Sequence, residues 1–337
     1  MNKGVPAKAG AMVDGFGRRI EYLRISVTDK CNLRCVYCMP EEGLPWLRKD
    51  QLLSYEEIQS IVELMAPMGL RRVRLTGGEP LVRKDLPRLV DLIASVPGIM
   101  DLAISTNGVL LQDLAGPLKE AGATRVNISL DSFREDRVDA LARRAGTFQK
   151  VLSGLEAAER EGLTPIKLNV VLIKGKNDDE IVDFAEATRT RPWHVRFIEI
   201  MPTTSNLEIS ADEFFSCQEA LARLRELGEL QPVSGPEGNG PATYYQYPGA
   251  PGTVGVITPM SHNFCDDCNR LRLTADGYLR PCLFGEIQTN LRDPMRAGKD
   301  LVPLVEKTLR IKPERHDLVQ GSDAGSGGLI ALSQTGG

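Results

Sequence analysis

The chain has 337 residues and a formal net charge of −4, long enough for one large domain with a smaller one, or for a barrel with an appendage. The acidic balance argues against non-specific nucleic-acid binding, which needs a basic surface. No run approaches the roughly 18 to 20 apolar residues of a membrane span, and residues 1–19 lack the apolar core of a secretion signal. The expectation is therefore a cytoplasmic protein with neither nucleic acid nor membrane as partner.

Residues 1–21 read as an N-terminal extension. A first strand is expected over 22–28, and directly behind it Cys31, Cys35 and Cys38 form a C-x3-C-x2-C loop. Three thiolates can hold three irons of a [4Fe–4S] cube and leave the fourth open to a ligand, whereas four saturate an electron-transfer cluster. A zinc site with its fourth ligand elsewhere is the alternative, although zinc sites favour paired C-x2-C units. Ser54, with Glu57 three residues on, is a capping box. Ile58, Ile61, Val62 and Met65 follow at helical spacing. Further strands are expected over 71–77, 100–107, 125–131, 165–173 and 194–201, with helices between them. Such alternation implies a parallel sheet with helices outside, either open or curved into a barrel.

The strand residues alternate in polarity. Arg24, Ser26 and Thr28 share one face of their strand, as do Arg74 and Thr76, Ser105 and Asn107, Asn127, Ser129 and Asp131, and Lys167 and Asn169. The positions between them are apolar. A parallel sheet buried on both faces reads as continuous hydrophobe, so this polar, partly basic face is expected to line a cavity. Polar residues merely exposed at strand ends are the alternative.

Residues 202–212 read as a link to a helix running through Leu227, in which Cys217 is a packing cysteine. A Pro/Gly loop (231–242) precedes short strands within 243–248, 253–259 and 269–284, the last turning at Asp276-Gly277. Cys265, Cys268 and Cys282 make a second group of three, which His262 could complete as a zinc site. Arg270 and Arg272 share a strand face and suit a polyanion held against a second cluster. His194 reads as structural and His316 as a surface or capping residue. The tail, 321–337, is polar and Gly-rich, which by composition alone reads as disordered, but it carries an apolar LIAL and ends on Gly336 and Gly337.

The first cysteine loop, with Tyr37 inside it, and Gly77-Gly78-Glu79-Pro80 at the end of the next strand resemble the radical S-adenosylmethionine (SAM) superfamily. Segments 23–40, 74–86, 105–108, 127–132, 167–178, 196–202 and 265–283 resemble, in order, the GTP 3′,8-cyclases, the molybdenum cofactor biosynthesis protein A family. The resemblance implies an α/β fold: a partial (β/α)6 barrel over 22–201 and a small α+β region over 202–320 that closes it and carries a second cluster. The tail follows. It also implies two [4Fe–4S] clusters and SAM as cofactors. Cys31, Cys35 and Cys38 would hold the first cluster, with Tyr37, Gly77, Gly78, Glu79, Ser129 and Met201 around SAM. Cys265, Cys268 and Cys282 would hold the second, against which Arg24, Arg74, Ser105, Lys167, Arg196, Arg270 and Arg272 would bind GTP. Ser105 stands where some members carry threonine, so the hydroxyl is kept.

Roles in catalysis are implied for Arg24, Arg270, Arg272, Gly336 and Gly337. The implied reaction is a radical cyclisation. A 5′-deoxyadenosyl radical takes the ribose 3′ hydrogen of GTP, and the new carbon radical attacks guanine C8, giving 3′,8-cyclo-7,8-dihydro-GTP for molybdenum cofactor biosynthesis. The implied partners are an electron donor such as a flavodoxin or ferredoxin and a downstream cyclic pyranopterin monophosphate synthase; a homodimer is left open. Two rival readings stand beside this one. One is another radical SAM enzyme with an auxiliary cluster, acting on peptide or RNA. The other is a zinc or iron–sulfur sensing module.

Overall fold

A computed structural model describes residues 11–201, 210–238 and 240–316. Six strands pair in succession, all parallel: β1 (Tyr22–Ser26), β2 (Arg72–Thr76), β3 (Asp101–Thr106), β4 (Arg125–Ser129), β5 (Lys167–Leu172) and β6 (His194–Glu199). The helices between them are α1 (Tyr55–Met65), α2 (Leu86–Ala94), α3 (Leu111–Glu120), α4 (Glu135–Ala142), α5 (Thr147–Arg160) and α6 (Ile181–Thr190). The remainder comprises α7 (Cys217–Glu226), β7 (Gln231–Val233), β8 (Thr243–Gln246), β9 (Thr253–Ile257), β10 (Arg270–Leu273), β11 (Tyr278–Arg280), β12 (Thr289–Asn290), α8 (Arg292–Arg296) and α9 (Val302–Arg310).

The C-terminal strands extend the same sheet at both edges. β9 adds parallel to β6, and β10 adds parallel to β1. β8 and β7 continue antiparallel on one side, β11 and β12 on the other. The twelve strands thus run from β12 to β7 in one mostly parallel, unclosed sheet, a partial barrel widened by its own C-terminal region. The turn between β10 and β11 falls at Gly277, whose φ of +85° suits glycine.

The alternation in the strands sorts two faces. Leu23, Ile25, Val73, Leu75, Ile104, Val126, Ile128, Leu168 and Val170 are fully buried in the core. The helices bring matching stripes, such as Leu86, Leu89, Val90 and Ile93 of α2. At the start of α1 the Ser54–Glu57 capping box forms, and Ile58, Ile61, Val62 and Met65 are buried as their spacing requires. Strand β1 stops at Ser26, short of the expected Thr28, because the next backbone groups leave the ladder. The carbonyls of Thr28 and Lys30 accept instead from the amides of Gly78 and Glu79, at 2.8 Å each. Cys217 packs in the core, as expected, with its Sγ against the carbonyls of Phe197 and Ile257.

Candidate functional site

The first cysteine loop is fixed from below by the Gly77-Gly78 turn. A Cβ on Gly78 would lie 2.6 Å from the carbonyl oxygen of Asp29, so only glycine lets the two backbones pair here. The Glu79 carboxylate is turned inward. It accepts from the amides of Leu81 (3.0 Å) and Asn107 (2.6 Å) and from the Thr106 hydroxyl (2.7 Å). Burial, only partly offset by these bonds, raises Glu79 to about 7. The side chain therefore ties the end of β2 to the end of β3, leaving the backbone of this turn as the surface it offers. Asn107 then donates to Asn32 at 2.8 Å, which links β3 to the cysteine loop.

The upper part of the loop is docked on α4: the amides of Arg34 and Val36 donate to Ala142 and Leu141. Tyr37 donates its hydroxyl to Asp131 (2.7 Å), whose other oxygen takes the amide of Val171. Burial lifts Asp131 to about 6. Cys35, Tyr37, Asn107, Ser129 and Asp131 border one small cavity. Ser129 and Tyr37 were expected near the first site. Asn107 and Asp131 stand on the polar strand faces read from the sequence, but no site role had been assigned to them.

A larger cavity, about 1050 Å³ with its mouth included, lies against the basic face. Five arginines line it, Arg24, Arg74, Arg196, Arg270 and Arg272, and no carboxylate does among the described residues. The strand register explains their closeness. Arg24 on β1 is paired with Arg272 on β10 on one side and with Arg74 on β2 on the other. Adjacent strands lie about 4.8 Å apart. Like charges carried side by side on adjacent strands repel. Burial and then Arg272 hold Arg24 well below its ordinary range. Burial, with Arg125 and Arg196 adding to it, holds Arg74 to about 10; burial and then Arg270 hold Arg272 to about 10. The Nε of Arg196 is buried with no hydrogen-bond partner among the described residues. A bound polyanion would neutralise such a floor.

Ser105, Asn169 and Met201 line the same cavity, as do Cys265, Cys268 and Cys282. The second cysteine group and the basic floor are therefore one site. Cys268 is held at about 6; burial pushes it up, but Arg270 and Lys312 outweigh burial. Phe264 lies under Arg270, with the guanidinium 4.9 Å from its ring centre. His262 is exposed and does not line the cavity, which weighs against a zinc site completed by that residue. Among the described residues no group of three His, Cys, Asp or Glu side chains is gathered as for a metal ion. A cube takes one thiolate per iron, so its three cysteines stand further apart than the ligands of a single ion. Three thiols on one cavity wall fit such a group, as do the three of the first loop.

Several placements depart from expectation. Lys167 does not line the cavity. Its ammonium is turned to the carbonyls of Pro236 and Glu237, which satisfy a buried amine that burial, Arg125 and Arg196 hold at about 6. His316 is half-buried and lines the cavity, its ring 4.7 Å from that of Phe284. Tyr22 also lines it, beneath Arg74; its position two residues before Arg24 on β1 was the available signal. His194 is structural, with Nδ1 2.8 Å from the Thr253 hydroxyl. Glu199 was not singled out. It is fully buried at the end of β6 and accepts the amides of Cys217, Met260 and Ser261 and the Ser261 hydroxyl. It thus anchors the segment leading to Cys265. Gly336 and Gly337 lie outside the described residues.

Residues 25–188 match the Radical SAM superfamily and residues 193–318 match Molybdenum Cofactor Synthesis C. The chain is 49% identical over 306 residues to a GTP 3′,8-cyclase of Listeria monocytogenes, covering 90% of this chain and 92% of that one. It is 48% identical to a GTP 3′,8-cyclase of Pelotomaculum thermopropionicum, covering 92% and 96%. Among solved structures, Streptococcus suis SuiB bound to precursor peptide SuiA shares the fold. Its TM-score is 0.64 at 13% identity, covering 93% of this chain and 70% of that one.

Proposed function

Because the chain belongs to the GTP 3′,8-cyclase family of the radical SAM superfamily, we propose that its two cysteine groups divide the labour of that reaction, one toward SAM and one toward GTP. Cys31, Cys35 and Cys38 would hold the [4Fe–4S] cluster that binds SAM. Cys265, Cys268 and Cys282 would hold a second cluster whose open iron meets the purine. When bound, the first cluster and SAM, given one electron, would supply methionine and a 5′-deoxyadenosyl radical that takes the ribose 3′ hydrogen of GTP; the carbon left behind would bond to guanine C8, and one further electron from the donor and one proton would complete 3′,8-cyclo-7,8-dihydro-GTP.

The chain's own residues bind and orient. Arg24, Arg74, Arg270 and Arg272 would grip the triphosphate through charge-assisted bonds, with Arg196 beside them. Ser105 would offer its hydroxyl to the nucleotide, and Lys167 would act on the phosphates from behind the floor. The Gly77-Gly78 backbone, Tyr37, Ser129 and Met201 would frame SAM, while Glu79 would hold the turn in shape. Fixing GTP at both ends matters because ring closure needs the two carbons in near-attack geometry. The partial barrel excludes water from the radical. No side-chain general base is needed for hydrogen-atom abstraction. Gly336 and Gly337 would assist the cyclisation.

The chain would comprise a barrel unit over 22–201 and a C-terminal unit over 202–320, work in the cytoplasm and take electrons from a flavodoxin or ferredoxin. A cyclic pyranopterin monophosphate synthase would act downstream on the product, and the assembly would be a homodimer.

One observation carries the reading: five arginines and three cysteines share a cavity that no carboxylate lines among the described residues. Arg24→Ala, Arg270→Ala and Arg272→Ala test it. A buried charge-assisted contact contributes about 1.5–3 kcal/mol, so each variant should bind GTP about ten- to a hundred-fold more weakly, with SAM affinity kept. Unchanged GTP affinity in all three would put the substrate elsewhere.

A further inference from the structure

Lys312 lies just beyond α9, almost wholly buried at 3% exposure. Its ammonium has three hydrogens, and three acceptors surround it: Cys268 Sγ at 3.4 Å, the Arg270 carbonyl at 3.1 Å and the Pro281 carbonyl at 2.7 Å. The last two acceptors sit next to the second cysteine group from different directions. Arg270 follows Cys268 by two residues and Pro281 precedes Cys282 by one. One cation thus joins the two chain segments that bring cysteines to the site, and it donates directly to one of the sulfurs.

The segment that carries this lysine is itself held. Arg18 donates to the carbonyls of Pro313 (2.6 Å) and Glu314 (2.9 Å) and also to the carbonyl of Cys265 (2.7 Å). Asp14 fixes the Arg18 guanidinium at 2.6 Å. The backbone that follows Lys312 is thereby tied to the backbone of Cys265. Lys312, Arg18 and Asp14 belong to neither cysteine motif.

We propose that Lys312 is a positioning residue of the second cysteine site, and that its ammonium raises the reduction potential of the cluster bound there. This rests on the reading that Cys265, Cys268 and Cys282 hold an iron–sulfur cluster. Adding an electron makes a thiolate-bound cluster more negative. A fixed positive charge with an N–H···S bond favours the reduced form, and hydrogen bonds to sulfur together with local charge are what set such potentials. The guanidinium of Arg270 also bonds Cys268, but it lines the substrate cavity, where a polyanion can draw on its charge. Lys312 is turned to the sulfur and two carbonyls, and its charge stays with the site whether or not substrate is bound.

The test is a potentiometric measurement, followed by electron paramagnetic resonance, on the anaerobically reconstituted full chain. Two reductive waves are expected, and Cys268→Ala identifies the second-site wave by removing it. Lys312→Met should move that wave to lower potential and leave the other in place, while Lys312→Arg should keep it near the wild-type value. If Lys312→Met fails to retain the second cluster, Lys312→Gln, which keeps a donor without the charge, is measured in its place with the same downward shift expected. An unmoved second-site wave at full iron content overturns the proposal, as does an equal shift of both waves. A wild-type chain with only the wave that Cys35→Ala removes overturns the underlying cluster assignment instead, which iron analysis at about four rather than about eight irons per chain would register separately.

Discussion

Gly78→Ala should disable the SAM site while leaving the GTP site intact. The added Cβ would meet the Asp29 carbonyl oxygen at 2.6 Å, whereas ordinary contact begins at 3.4 Å. The two backbones must therefore part by about 0.8 Å along that direction. The carbonyl of Lys30 is closer still, so sliding sideways gives no relief. The separation strains the bonds from Gly78 to Thr28 and from Glu79 to Lys30, both 2.8 Å. Each contributes about 1 kcal/mol, and overpacking costs about 1–3 kcal/mol more. Some 3–5 kcal/mol of local stability is at stake one residue before Cys31. A displacement approaching 1 Å near reacting groups can cost about a hundred-fold in rate. The assay is reductant-driven 5′-deoxyadenosine formation, with SAM and GTP affinities measured separately. SAM cleavage should fall about a hundred-fold and SAM affinity at least ten-fold, with GTP affinity within two-fold of wild type. Wild-type SAM cleavage and melting temperature in Gly78→Ala would refute the account of this turn.

Other perturbations separate the remaining parts. Glu199→Ala leaves three amides without their acceptor, that of Cys217 buried and those of Met260 and Ser261 partly so. At about 1–3 kcal/mol for each unsatisfied group, it should lower the melting temperature and empty the second site of iron before the first, whereas loss of iron from both sites in step would contradict this. Lys167, held at about 6 by burial and its cationic neighbours, is mostly neutral at pH 8. A triphosphate nearby favours the ammonium, so GTP binding at pH 8 should take up as much as one proton per chain. The uptake should fade toward pH 5, where the amine is already charged. Calorimetry in buffers of differing ionisation enthalpy reads this, and equal uptake by Lys167→Met would assign the proton to another group. Removing Gly336 and Gly337 should keep cluster content and both affinities but sharply reduce cyclised product; full product formation would deny the tail a role.

Much of this architecture is local and so was legible in the sequence. The alternation in 22–28 or 125–131 is a period-2 signal that fixes which residues face the core, and Arg24, Arg74, Ser105 and Asn169 face the cavity as that signal requires. The Ser54–Glu57 box and the Asp276-Gly277 turn depend only on neighbouring residues. The pairing of Arg272 with Arg24 did not show, because β10 joins the edge of β1 across some 245 residues and no local pattern encodes a partner so distant. Glu79 was read as a ligand contact because its motif is known by position. Its inward bonds to Thr106 and Asn107 come from β3, which brings those groups to it only when folded. Lys167 was legible only in part: its strand face showed, but the carbonyls of Pro236 and Glu237 that hold its amine come from a distant loop. Lys312 and His316 sit after the last helix, without periodicity to mark them, and only packing brings them to the cysteines.

One cavity would hold GTP with its ribose presented to a radical made at the Cys31, Cys35 and Cys38 site. The direct measurement uses GTP deuterated at the ribose 3′ carbon, with SAM and a reductant, on the anaerobically reconstituted chain. The account predicts that 5′-deoxyadenosine forms in step with cyclised nucleotide and carries one deuterium. Unlabelled 5′-deoxyadenosine, with the deuterium retained on the nucleotide, would contradict it.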